Sequence, residues 1–255
     1  VMDTNRLLNT VGFAGKLLIQ SGAEIYRVEE TMVRLCKSFV EVQDADSFVT
    51  PTGIMFSITV NDQTFTKIMR VHSRSVDLNC IDKINALSRK ASVTPYTLEE
   101  LETELDEIRK QTRYSFLVTM LFGAIGAAGF AIFFDGTWKE AICAFIIGIF
   151  IKCVCWCLEK IQLNSFFVNA VSAGVAAFIA VFLHLCFQDT DMDIMIISSI
   201  MLLVPGLAIT NAVRDTVAGD YLSGVARATE AILVAIAIAV GVGFVLSISL
   251  RLGGM

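Results

Sequence analysis

Residues 203–227 read LVPGLAITNAVRDTVAGDYLSGVAR, and the rest of the chain is best interpreted from this stretch. It begins inside an apolar run of membrane length, which Pro205 and Gly206 interrupt. Proline removes a main-chain hydrogen bond and glycine weakens a helix, so we expect a bent or broken helix here. Polar and glycine residues then follow closely: Asn211, Arg214, Asp215, Gly219, Asp220, Gly224 and Arg227. A kinked helix followed by an ordinary loop is one interpretation, but polar groups beside a broken membrane helix favour a functional site.

The composition divides the chain into two parts. The mean hydropathy is +0.67 and 55% of the residues are hydrophobic, which is too apolar for an ordinary soluble domain. Of the 45 acidic and basic residues, 30 precede residue 115. We therefore predict a soluble domain over residues 1–113 and a membrane domain over residues 114–255. The net charge is −5 and no basic block is present, which argues against a nucleic-acid partner.

The soluble part has the pattern of a small α+β domain that we expect in the cytosol. Two amphipathic helices come first, and Ser21 with Glu24 fits a capping box for the second. Alternating residues then predict strands over 53–60 and 64–71, followed by a helix over 77–90. A juxtamembrane helix is predicted over 97–113, with a capping box at Thr97 and Glu100 and with its acidic residues early and basic residues late.

Catalytic and metal-binding signatures are missing from the sequence. It contains no G-x-S-x-G elbow, no phosphate-binding loop and no cluster with metal-ligand spacing. His72 at a strand end is more typical of a surface residue than of a general base. We therefore predict no enzyme, no cofactor and no metal site, and keep a membrane-anchored hydrolase or a regulatory subunit as the alternative.

Five apolar runs in the membrane part each approach the roughly 20 residues that cross a bilayer. They cover Phe116–Phe134, Trp138–Leu158, Phe166–Phe187, Ile194–Val213 and Ala226–Leu250. Their connections are short, so neighbouring helices should be antiparallel. Most flanking cations fall on the side of the soluble domain: Arg109, Lys110, Arg113, Lys160, Arg214 and Arg227. The positive-inside rule then predicts a cytoplasmic N-terminal domain, an external C-terminus and a cell-membrane location.

Glu230 lies about one turn into the last apolar run. A carboxylate at this depth costs a few kcal/mol unless it is paired or hydrated. It could form a structural pair with Arg227, or serve as a proton or substrate site that faces the break. Both interpretations remain open, and Asp215, Asp220 and Glu230 are the candidates for ion coupling.

Three stretches resemble the threonine/serine exporter family. They are SGAEIYRVEETM at 21–32, DSFVTPTGIMFSI at 46–58 and PGLAITNAVRDTVAGDYLSGVAR at 205–227, so the resemblance covers nearly the whole chain. Members combine a cytosolic N-terminal domain with membrane helices and export small polar metabolites. The resemblance implies functional positions in the N-terminal motif at Gly22, Glu24, Arg27 and Glu29. It also implies a secondary, ion-coupled exporter of threonine and serine or of a dicarboxylate such as succinate.

Long family members carry a second membrane half. The present chain resembles the larger component of the split two-component form, whose partner is a smaller membrane protein. We therefore expect a partner subunit or a homo-oligomer in the lipid bilayer. Two five-span halves would form an inverted repeat with the substrate between them. The predicted substrate-binding residues are Pro205, Gly206, Asn211, Arg214 and Asp215.

Overall fold

A computed structural model describes residues 3–72, 75–111 and 114–253, with side chains up to residue 251. The chain divides into two compact units. The first comprises Val1–Thr112 and Leu207–Thr229, and the second comprises Arg113–Gly206 and Glu230–Met255. Part of the stretch that follows the predicted helix break therefore packs with the N-terminal residues, although the sequence analysis placed it in the membrane domain.

The first unit is a small α+β structure with a three-stranded antiparallel sheet in the order β1-β2-β3. Its N-terminal elements are α1 (Thr4–Gln20), α2 (Ile25–Lys37), β1 (Asp44–Thr50), β2 (Gly53–Val60), β3 (Gln63–Arg70), α3 (Leu78–Val93) and α4 (Leu98–Lys110). Alternate residues of β2, including Ile54, Phe56 and Ile58, are buried against the helices. Apolar stripes of α1, α2 and α4 complete this core, as their periodicity predicted.

Several predictions for the first unit are confirmed, one is wrong and one strand was missed. The Thr97–Glu100 capping box is present at the start of α4. Ser21, in contrast, is the C-cap of α1, and the N-cap of α2 is Glu24, whose side chain makes no capping hydrogen bond. Strand β1 was not predicted, because its inward positions include the small or polar residues Ala45 and Ser47, whereas Phe48 is exposed. The predicted end of the juxtamembrane helix, residues 112–113, lies outside the described residues.

The C-terminal segment adds a helical hairpin to the first unit. Helix α9 (Gly206–Ala218) is followed by α10 (Tyr221–Gly253), whose residues up to Thr229 belong to this unit. Gly224 lies at the close approach of the two helices. A β-carbon at Gly224 would lie 3.0 Å from the carbonyl oxygen of Ala212 and would also clash with the hydroxyl of Thr216. Glycine is therefore required for the two helices to pack this closely.

The second unit is helical. It contains α5 (Phe116–Phe133), α6 (Trp138–Lys160), α7 (Ser165–Cys186), α8 (Met192–Ile200) and the remainder of α10. Among the described residues, four helices are long and apolar enough to cross a membrane, namely α5, α6, α7 and α10. Their outward surfaces carry large apolar side chains such as Leu121, Phe178 and Phe244, as expected of surfaces that face lipid.

The prediction of five spans is not confirmed, because the fourth apolar run is not one helix. It is divided into α8 and α9 at residues 201–205, where the predicted break occurs. Helix α8 has nine residues. Its length is therefore about 14 Å, which is roughly half the thickness of a bilayer core. The sequence analysis correctly placed a bend or break at Pro205. It nevertheless counted residues 194–213 as one membrane span, because hydropathy alone does not show where a helix ends.

Small residues bring α7 and α10 together within the second unit. Gly241 of α10 packs on the main chain of α7, where a β-carbon would clash with the carbonyl of Ala170 and lie 3.0 Å from the nitrogen of Gly174. Two helices can approach each other this closely only where one of them has no side chain at the contact. The surface of α7 at Ala170 and Gly174 is therefore a packing surface.

Candidate functional site

The site begins at the turn between α1 and α2, residues 21–24. Gly22 has a φ of 87°, a left-handed conformation that favours glycine. The N–H of Gly22 donates to the carbonyl of Ile19, and the N–H of Ala23 donates to that of Leu18, both at 3.0 Å. This pair of bonds is a Schellman motif. It ends α1 and leaves the carbonyl groups of Gly22 and Ala23 available to other partners.

The C-terminal segment binds this turn through its main chain. Asn211 Nδ2 donates to the carbonyl of Gly22 at 2.9 Å, Arg227 Nη2 donates to that of Ala23 at 2.6 Å, and the N–H of Ile25 donates to Asp215 Oδ1 at 3.2 Å. Asn211, Asp215 and Arg227 are all buried. Two motifs that are about 190 residues apart in the sequence therefore form one site within the first unit.

Asp215 and Arg227 form a buried ion pair at the centre of this site. Asp215 Oδ2 lies 3.2 Å from Arg227 Nε, and the two side chains are 0% and 6% exposed. Asp215 also caps the first turn of α2, where the helix dipole favours an anion. Burial raises the pKa of Asp215 above its ordinary value, although the charge of Arg227 and the hydrogen bond from Ile25 oppose this rise.

Glu24 joins two arginines at the edge of the site. Its Oε2 accepts a hydrogen bond from Arg27 Nε at 2.7 Å, and its Oε1 pairs with Arg214 Nη1. The Glu24 side chain is 13% exposed, whereas those of Arg27 and Arg214 are 37% and 49% exposed. Burial disfavours the ionised form of Glu24, but the hydrogen bond from Arg27 and the two arginine charges outweigh it and lower its pKa.

Glu29 connects α2 to the sheet near the same acidic groups. Its Oε1 accepts a hydrogen bond from the N–H of Val49 at 2.8 Å. Burial raises the pKa of Glu29, the Val49 N–H opposes that effect, and the negative charges of Asp220 and Asp215 add to it. Glu29 therefore has a different electrostatic environment from Glu24, although both belong to the same N-terminal motif.

The structure groups some of the predicted site residues and leaves others apart. Asn211, Arg214 and Asp215 meet Gly22, Glu24 and the start of α2. Asp220 also belongs to the first unit, where its N–H donates to the carbonyl of Asp215 at 2.8 Å. The other predicted positions, Pro205, Gly206 and Glu230, belong to the second unit.

Sequence reasoning missed the partnership between the two motifs. It considered Arg227 only as a partner of Glu230, and it assigned no role to the main-chain groups of Ala23 and Ile25. The type of a residue does not reveal which partner its main-chain groups bind. Helical periodicity relates only neighbouring positions, not positions about 190 residues apart. The available signal was the family resemblance, which singled out both stretches.

Charged side chains take part in most of the hydrogen bonds of this site. Within the described ranges, no group of three or more His, Cys, Asp or Glu side chains could hold a metal ion. Arginine guanidinium groups are suited to binding carboxylate groups.

Comparison with known proteins identifies the group to which these motifs belong. The model of the family described as "Putative threonine/serine exporter" matches residues 9–249. The "Probable threonine/serine exporter" of Mycobacterium tuberculosis is 23% identical over the whole chain. The "Probable succinate transporter subunit YjjP" of Escherichia coli is 25% identical over 87% of the chain, and the "Threonine/serine exporter" of Corynebacterium glutamicum is 24% identical over 72%.

These relatives differ in length. The chain spans 47% of the M. tuberculosis protein and 38% of the C. glutamicum protein, but 86% of the E. coli subunit. No solved structure matches the chain.

Proposed function

Because the chain belongs to the threonine/serine exporter family, we propose that it forms part of an exporter for small metabolites that carry a carboxylate group. Members of this family are transporters. This agrees with the prediction that the chain is not an enzyme. The family does not favour the alternative of a membrane-anchored hydrolase. Its apolar helices make it a membrane-embedded protein. The names of the relatives mention threonine, serine and succinate, which have a carboxylate group in common.

The observation that carries this proposal is the pair of half-exposed arginines at Glu24. Arg27 Nε contacts one oxygen of the Glu24 carboxylate and Arg214 Nη1 contacts the other. The planar guanidinium forks of arginine can bind carboxylates through charge-assisted hydrogen bonds with defined geometry. We propose that these two arginines bind the carboxylate of the transported molecule.

The buried residues of the site have a positioning role in this proposal. Asn211, Asp215 and Arg227 hold the α1–α2 turn and so fix the distance between Arg27 and Arg214. Asn211 and Asp215 are too enclosed to meet a ligand directly. Pro205 and Gly206, where the apolar run breaks in the second unit, remain proposed substrate-binding positions.

Ion coupling and assembly complete the proposed mechanism. Asp215, Asp220 and Glu230 remain the candidates for carrying a coupled proton, and the raised pKa of Asp215 brings that group closer to neutral pH. Two of the relatives are longer than the chain and a third is named a subunit. We propose that a second membrane half, from a partner subunit or a further copy, completes the transporter.

Replacing Arg214 by lysine tests the role of its fork. Arg214→Lys keeps the charge but cannot bind two oxygens at once. We expect it to lose about 1.5–3 kcal/mol of substrate binding, the scale of a charge-assisted hydrogen bond. Efflux of labelled succinate and threonine from vesicles, at matched membrane abundance and with a candidate membrane partner present, would measure the loss.

Arg6 provides a matched control in the same unit. It is bound to Glu102 through three hydrogen bonds, at 3.0, 3.2 and 2.7 Å, and its side chain is 43% exposed. Arg6→Lys therefore weakens a similar ion pair away from the site and should leave transport unchanged. Normal efflux by Arg214→Lys would exclude Arg214 from substrate binding.

A further inference from the structure

The Glu24 carboxylate occupies the arginines that are proposed to bind substrate. We propose that Glu24 is a built-in substitute for the substrate carboxylate, and that it must leave Arg27 and Arg214 before a transported molecule can bind them. This inference rests on the proposed function, because it concerns the same two arginines. It assigns Glu24 the role of an internal competitor that sets the apparent affinity of the site.

The α1–α2 turn does not depend on the Glu24 side chain. Asn211 and Arg227 hold the turn by the carbonyl groups of Gly22 and Ala23, and Asp215 holds the N–H of Ile25. Glu24 is the N-cap residue of α2, but its side chain makes no capping hydrogen bond. The side chain can therefore swing away while the turn keeps its place.

The neighbouring carboxylates are committed to other partners. Asp215 pairs with Arg227, and Glu29 accepts the N–H of Val49. Glu24 is thus the carboxylate that the structure places on Arg27 and Arg214. One carboxylate is therefore shared by two guanidinium groups.

The two arginines are also accessible. Their side chains are 37% and 49% exposed, whereas Glu24 lies beneath them at 13%. A small carboxylate can therefore reach the guanidinium groups from solvent and exchange with Glu24. A dicarboxylate could place one carboxylate group on each arginine.

Titration of the full-length chain in lipid nanodiscs tests the proposal, with succinate as the probe and uncharged succinamide as its control. Glu24→Gln keeps the size of the side chain and removes the competing charge. We expect it to bind succinate about two- to fivefold more tightly than the parent, the scale of a partly exposed ion pair. Glu102→Gln removes the carboxylate that binds Arg6, so its affinity for succinate should not change.

Each outcome bears on one proposal or on both. Unchanged or weaker succinate binding by Glu24→Gln, with weaker binding by Arg214→Lys, overturns the competitor role and leaves the proposed function standing. Loss of threonine binding by Glu24→Gln also overturns it, since Glu24 would then bind the amino group. Normal binding by Arg214→Lys removes both proposals. If Glu24→Gln does not fold, Glu24→Asp, too short to span both arginines, should also tighten binding, and unchanged affinity would contradict the proposal.

Discussion

Asp215 combines two tasks that are usually separate. It caps the N-terminus of α2 through Oδ1 and pairs with Arg227 through Oδ2, and its side chain is fully buried. Removing one partner of a buried pair leaves an uncompensated charge, which costs far more than the pair contributes when complete. The site should therefore tolerate changes to both residues together better than changes to either one.

Asp215→Asn isolates the charge of this residue. The amide oxygen can still accept the N–H of Ile25, but Arg227 remains buried without its anion. We expect a loss of stability of about 3–5 kcal/mol, the usual cost of breaking a buried pair. Thermal unfolding of the purified variants would measure it, and Asp215→Asn combined with Arg227→Gln should recover part of the loss. Strict additivity of the two single changes would contradict the pairing.

Glu29 gives a prediction that depends on pH. Its pKa is raised, so the folded state favours the protonated form, and the stability that Glu29 contributes at low pH is lost as pH rises through the folded pKa. Glu29→Gln keeps the acceptor for Val49 without the charge. It should therefore be at least as stable as the parent at pH 7, with the difference vanishing near pH 4. The measurement is the stability of Glu29→Gln minus that of the parent at each pH. A smaller difference at pH 7 than at pH 4 would contradict this prediction.

Glu24 should respond to acid in the opposite sense. Its pKa is lowered, so its contribution is present above the unfolded pKa and is lost as pH falls through the folded pKa. The two carboxylates come from one motif and are five residues apart, but only the structure separates their behaviour. Residue type revealed that the motif was charged, whereas partners and burial decide the direction of each shift.

At the scale of elements, helix spacing in the second unit depends on glycine. Gly241 packs on the main chain of α7, whereas a β-carbon at Gly243 would meet nothing within 4 Å. Gly241→Ala should therefore force α7 and α10 apart and destabilise the unit by about 1–3 kcal/mol. Gly243→Ala lies two residues away in the same helix and should be neutral or slightly stabilising. Equal melting temperatures for the two variants would exclude the close crossing.

The sequence predicted most elements because their signals are local. Apolar periodicity located α1, α2, α3 and α4, and hydropathy located the four long apolar helices. Strand β1 was missed because Phe48 occupies an exposed position and Ser47 an inward one, which breaks the expected alternation. The assignment of residues 207–229 to the first unit depends on contacts over nearly 200 residues, which no local pattern encodes.

At the scale of the whole molecule, the cation distribution predicts orientation. Arg109 and Lys110 precede α5, and Lys160 ends α6, whereas Lys139 lies at the opposite end of α6 and pairs with Asp189. The positive-inside rule places the first group in the cytoplasm and the end of α6 that bears Lys139 outside. We therefore expect the loop between α7 and α8 to face the exterior.

Maleimide labelling of intact cells tests this orientation on a background without the native cysteines. Gln188→Cys, in the exposed α7–α8 loop, should react from outside. Val40→Cys is 98% exposed in the first unit and should react only after the membrane is permeabilised. The reverse pattern would show that the chain is inserted in the opposite sense.

The division of the first unit between two segments sets the order in which it can be completed. Its N-terminal part leaves the ribosome first, but Asn211, Asp215 and Arg227 follow only after about 100 further residues have been synthesised. At about 5–20 residues per second this interval lasts roughly 5–20 s. During that time the carbonyl groups of Gly22 and Ala23 and the first N–H of α2 have only water as a partner. The finished site is therefore a late product of biosynthesis, formed after α5, α6 and α7 have been translated.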